Sequence, residues 1–93
     1  MREPLGPSEA RRLIREVLRD GEVVSSKHAT DEMRNDGLTL VDCVNVLRAG
    51  VVEPAEWERG SWRYRVHTAR IWVVVAFRSE QRLVVVTAWR SKE

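Results

Sequence analysis

The chain has 93 residues, 43% hydrophobic and 32% charged, a balance that suits one small folded domain with a single core and argues against disorder. No apolar run approaches the ~20 residues that cross a bilayer, and the Met1 start lacks a basic-then-apolar leader pattern, so a cytoplasmic location without membrane contact is expected. The single Cys43 excludes an internal disulfide, and a buried thiol on a helix is the reading of that residue.

Met1 to Pro7 carries two prolines and a glycine and reads as a loose arm. Ser8 is placed to cap a helix running to about Asp20, because Ala10, Leu13, Ile14, Val17 and Leu18 recur on one side at helical spacing. Gly21 ends it, and Glu22 to Ser25 is a short extended link or edge strand. Ser25 or Ser26 then caps a short helix, Lys27 to Asn35, with Ala29 and Met33 inward and Gly37 as its stop. Thr39 caps a third helix with Asp42 in the capping-box position, and Leu40, Cys43, Val44, Val46 and Leu47 form its buried side up to Gly50.

Val51 to Trp57 is strand-like, but Pro54 makes it an edge strand or an irregular one. Beyond the turn at Glu58 to Ser61, apolar and polar residues alternate with a period of two over three segments: Trp62 to Thr68, Ile71 to Arg78 and Leu83 to Arg90. Two-residue turns at Ala69-Arg70 and Glu80-Gln81 set His67 against Trp72, Arg65 against Val74 and Arg63 against Ala76. They then set Trp72 against Trp89, Val74 against Thr87 and Ala76 against Val85. That register gives one face of Trp62, Tyr64, Val66, Val73, Val75, Phe77, Val84, Val86 and Ala88. The opposite face carries Arg63, Arg65, His67, Trp72, Thr87 and Trp89.

Helices followed by strands imply an α+β fold: N-terminal helices (residues 8–50) packed on one face of a C-terminal antiparallel sheet (residues 51–90), in a single domain. The other face would then expose Trp72, Val74, Val85 and Trp89 among basic groups. Net charge is +2, unevenly spread: residues 1–56 hold 8 Lys/Arg against 11 Asp/Glu, and residues 57–93 hold 8 against 3. A basic sheet and acidic helices suit a polyanion held on the sheet side.

The chain has no Gly-rich phosphate loop and no metal-ligand spacing, since His28 and His67 are isolated, so neither a metal nor another cofactor is expected. His67 stands at alternate positions with Arg65 and Arg63, across the sheet from Thr87 and Trp89. Cleavage of RNA without a metal needs a group that takes the 2′-hydroxyl proton, one that protonates the leaving oxygen, and cations for the charged phosphorane. Histidine and arginine supply these roles, and Trp72 or Trp89 can stack an unpaired base. The plain alternative is that strand arginines solvate the sheet, His67 is a half-exposed spacer and Thr87 serves β propensity.

The run SKHATDEMRNDGLTLVDCVNVLRAG, followed by WRYRVHT, VVVAF and VVVTAW, resembles a family of small bacterial proteins related to MqsR-like and RelE-like toxins, over roughly residues 21–90. The resemblance implies the compact nuclease fold shared by barnase, EndoU, colicin nucleases and RelE. It also implies an mRNA endonuclease, free or ribosome-linked, paired with an antitoxin protein. Residue by residue it touches His28, Arg63, Tyr64, Arg65, Thr87 and Trp89. Glu32 and Asp36 stand on the second helix where a frequent pattern has two arginines, and Trp89 stands where Tyr is common. The expected catalytic set is His28, Arg65, His67 and Thr87, with Arg63, Trp72 and Trp89 binding RNA. A non-catalytic RNA-binding module and a protein-interaction domain are the alternatives.

Overall fold

The computed structural model describes residues 1–92. In chain order it holds α1 (Pro7–Asp20), β1 (Glu22–Ser25), α2 (Lys27–Asn35), α3 (Leu40–Ala49), β2 (Val51–Val52), β3 (Glu56–Glu58), β4 (Ser61–His67), β5 (Ile71–Ser79) and β6 (Arg82–Arg90). The fold is α+β, with three helices laid against a six-stranded sheet ordered β1-β6-β5-β4-β2, while β3 pairs with β4 off that path. The sheet is mixed rather than purely antiparallel, because β1 joins β6 in parallel. The link read after the first helix is therefore a sheet edge, reached by a crossover through most of the chain.

Local chemistry sets the helix ends. α1 starts two residues earlier than its serine suggested, with Gly6 as N-cap and Pro7 in the first turn, where its missing N–H costs nothing. The Ser26 hydroxyl accepts from the Ala29 amide at 3.0 Å to cap α2. Thr39 and Asp42 bond reciprocally across the first turn of α3, which lowers the Asp42 carboxyl pKa from its ordinary value. Gly37, at φ 66°, supplies the left-handed turn between α2 and α3.

The three helices bury Ala10, Ile14 and Val17, Ala29 and Met33, and Cys43, Val46 and Leu47 against one sheet face. That face supplies Tyr64, Val66, Val73, Val75, Phe77, Leu83, Val85 and Ala88. Cys43 is fully buried with its thiol 3.3 Å from the Met33 sulfur, and burial pushes its pKa up to about 11. The N-terminal arm is tied down rather than loose. The Tyr64 hydroxyl accepts from the Leu5 amide at 3.0 Å and donates to a Glu3 carboxylate oxygen at 2.9 Å, while Leu5 packs against the core.

The register holds at both ends of the β5–β6 hairpin and slips in the middle. Trp72 faces Trp89, Val74 faces Thr87 and Ser79 faces Arg82, but between them Val75 pairs with Val85 and Ala76 with Val84. Val86 and Arg78 are left without partners, one on each strand, and together they restore the frame. The consequence corrects the expected core: Val85 is wholly buried under the helices in place of Val84 and Val86. Leu83 to Val86 is apolar at every position, so alternation alone does not fix its phase.

Candidate functional site

Alternation along β4 sends Arg63, Arg65 and His67 to the face away from the helices, since Tyr64 and Val66 between them are buried in the core. Each of these side chains meets a carboxylate from the adjoining edge. His67 Nε2 lies 2.6 Å from Glu53 Oε2, Arg65 Nη2 3.1 Å from Glu56 Oε1, and Arg63 Nη1 3.2 Å from Glu58 Oε1. In an unbroken strand Glu53 and Glu56, an odd number apart, would face opposite ways. The interruption at Glu53 to Ala55, with Pro54 at its centre, inverts the phase: Val52 pairs with Val66 but Glu56 with Arg63, so one residue is absorbed and both acids face β4.

His67 is fixed from three sides. Its ring stacks on Trp72, centroids 4.0 Å apart and 13° between planes, and Trp72 in turn stands parallel to Trp89 at 6.0 Å and 2°. The resulting row runs Glu53, His67, Trp72, Trp89 across three neighbouring strands and the edge loop. Behind the row, the end of α3 presses on β4: a Cβ at Gly50 would come within 2.8 Å of the His67 carbonyl oxygen, so only glycine allows this approach. Glu53, Pro54, Ala55, Glu56, Arg65 and Trp72 line a shallow cleft beside the histidine.

The chemistry follows from the donor inventory. An ionised carboxylate only accepts, so the short contact places the proton of His67 on Nε2. Nδ1, with no hydrogen-bond partner among the described residues, then accepts a proton when the ring is neutral and donates one when it is charged. Glu53 holds the ring in that tautomer and stabilises the imidazolium. Arg65 is the guanidinium next along the strand, 40% exposed at the side chain, whereas Arg63 is more enclosed.

The structure brings His67, Arg65 and Trp72 together, with Trp89 stacked beyond Trp72 at 6.0 Å, whereas Arg63 lies on the same face ~13 Å along the strand from His67. Thr87 and Trp89 share their face but stand two strands away on β6, at ~10 Å by the usual interstrand spacing. His28 is elsewhere: it is exposed on α2, 3.7 Å from Glu32, on a helix that packs through Ala29 and Met33 into the core on the other side of the sheet. The face also exposes less apolar surface than expected, since Val84, which takes the place of Val85 there, is only 7% exposed. Val85 belongs to the core, and Val74 is only 5% exposed. Sequence reasoning missed the carboxylates Glu53, Glu56 and Glu58. The signal for two of them was present: across the tight Arg59-Gly60 turn, Glu56 pairs with Arg63 and Glu58 with Ser61, so each acid stands diagonal to the arginine it holds, Arg65 and Arg63 respectively.

Among the described residues no three His, Cys, Asp or Glu side chains converge as a metal site. Comparison of the chain with protein-family models, with curated proteins and with solved structures finds no match.

Proposed function

We propose that this chain is an RNA endonuclease that needs no metal for the chemical step. The observation that carries the reading is the oriented pair of His67 and Glu53, stacked on Trp72 and beside the Arg65 guanidinium. In the proposed step the 2′-hydroxyl oxygen attacks its own 3′-phosphorus while Nδ1 of His67 takes the hydroxyl proton. Arg65 offsets the charge gathering on the phosphorane oxygens. The P–O5′ bond breaks, the leaving oxygen takes a proton from water at the open face, the hydroxide so formed takes back the proton held on Nδ1, and the products are a 2′,3′-cyclic phosphate and a 5′-hydroxyl. With His67 on one side of it and Trp89 on the other, Trp72 fixes the histidine ring, and Trp89 with Thr87 offers the platform for a base. As in the resemblance stated above, the cellular role proposed is a cytoplasmic toxin acting on mRNA and restrained by an antitoxin protein.

A second reading has its own support. Arg63 and Arg65 already hold carboxylates, so a face that binds bases by stacking without cutting is a coherent alternative. Incubation of a mixed-sequence RNA in EDTA, with the product ends determined, separates the two. Cyclic phosphate and 5′-hydroxyl ends are expected; RNA bound by the wild type and left intact would hand the site to the binding reading. Growth of a bacterial host expressing the chain tests the toxin role, and normal growth with soluble, folded protein would remove it.

A further inference from the structure

Folding pairs the basic groups of the candidate site with carboxylates and gathers a separate arginine stripe on α1. On the sheet face, Arg63, Arg65 and His67 are each paired with a carboxylate, and Arg82 pairs with Glu22. On α1, by contrast, Arg11, Arg12, Arg15 and Arg19 fall within about 100° of the helix circumference at 100° per residue. Their stripe lies away from the buried Ala10, Ile14 and Val17. Arg48 of α3 joins them, lining a cleft with Arg15, Leu18 and Arg19. A second cleft along the same stripe is lined by Ser8, Arg11, Arg12, Arg15, Glu16 and Arg19.

Little neutralises this surface. Arg19 has an exposed pair with Asp20, and Arg11 donates to the Gly50 carbonyl at 2.8 Å. Arg12, Arg15 and Arg48 have no carboxylate partner among the described residues. All five cations are arginine, the side chain whose planar fork matches a phosphate's paired oxygens.

We infer that the arginine stripe of α1 with Arg48 of α3 is a binding surface for a nucleic-acid backbone, separate from the sheet face. Phosphates rather than bases are its ligands, because no aromatic ring stands among the arginines of either cleft. An anionic membrane fits less well. The apolar side of α1 is spent on the core, which leaves no apolar face to enter a bilayer. The surface does not depend on the cleavage chemistry, and an uncleavable probe keeps the two apart.

The test is fluorescence anisotropy of a labelled single-stranded 2′-O-methyl RNA, which lacks the attacking hydroxyl, titrated with the full chain between about 50 and 200 mM salt. The variant is Arg12→Ala/Arg15→Ala/Arg48→Ala. Its control, Arg34→Ala/Arg78→Ala/Lys92→Ala, removes equal charge from exposed sites elsewhere, and circular dichroism checks the fold of both. The stripe variant is expected to bind at least tenfold more weakly than the control. Its log K against log salt slope should be shallower by about 2, since each phosphate contact on a single strand contributes about 0.7. If the triple variant does not fold, the single Arg15→Gln is expected to bind severalfold more weakly than wild type. Equal binding by stripe and control variants, no binding by the wild type, or association with phosphatidylserine vesicles in place of RNA would each overturn the assignment.

Discussion

Replacing Val85 and Val86 one at a time by alanine tests the frame shift that positions the site. Val85 is 0% exposed and packed in the main core, so its truncation removes two buried methyl groups, worth about 0.8 kcal/mol each, and leaves a cavity between sheet and helices. The expected loss is about 2–3 kcal/mol. Val86 is half-buried and unpaired at the bulge, so its truncation should cost under about 1 kcal/mol. Urea unfolding followed by tryptophan fluorescence, with the slope m unchanged, reads both differences. An unbroken register would put Val86 inside and Val85 outside and reverse the order. A larger loss for Val86→Ala than for Val85→Ala would therefore refute the bulge, and with it the argument that Thr87 and Trp89 keep their face while the middle of β6 changes phase.

Tyr64→Phe leaves the Leu5 amide and the Glu3 carboxylate without their shared partner, and should cost about 1–3 kcal/mol and make the N-terminal arm sensitive to proteolysis; an arm that stays protected would show that the hydroxyl does not hold it. Burial raises the Tyr64 pKa to about 12 from an ordinary value of 10, so its contribution is complete below pH 10 and is lost as pH rises towards 12. The alkaline limb of a stability profile should accordingly flatten in Tyr64→Phe. Cys43, with its thiol pKa pushed up to about 11 in the core, should resist alkylation at pH 8 until urea unfolds the chain; rapid labelling of the native protein would contradict its burial.

Much of the frame was readable in the residues. Capping chemistry located α2 and α3, because Ser26, Thr39, Asp42, Gly37 and Gly50 each satisfy a specific backbone need. Alternation from Trp62 to His67 fixed which residues of β4 face the helices, and the two-residue turn at Ala69-Arg70 carried that phase into Ile71 to Val75, which is apolar throughout. Continuous apolarity hid the bulge in β6, since Val84, Val85 and Val86 are interchangeable to any period-two pattern. The parallel partner of β1 was hidden too, because four residues carry no mark of which distant strand they join. At the site, the histidine and arginines announced themselves by type and spacing. Glu53 did not: only the loss of phase around Pro54 turns it toward His67, and that is a property of the folded edge. The separation of His28 from His67 likewise depends on which side of the sheet α2 covers, which its short sequence leaves open.

The proton-transfer role of the His67–Glu53 pair is tested most directly by single-turnover cleavage of an RNA substrate in EDTA. Wild type is compared with His67→Ala, Glu53→Gln and Arg65→Ala, each confirmed as folded. Loss of the proton acceptor should slow the wild-type rate by ~10²–10⁴-fold, and Glu53→Gln, which keeps the shape but removes the charge that stabilises the imidazolium, should fall between wild type and His67→Ala. The same oligonucleotide with a 2′-O-methyl group at the cut position should remain intact. Wild-type cleavage undiminished in both His67→Ala and Glu53→Gln would contradict the assignment.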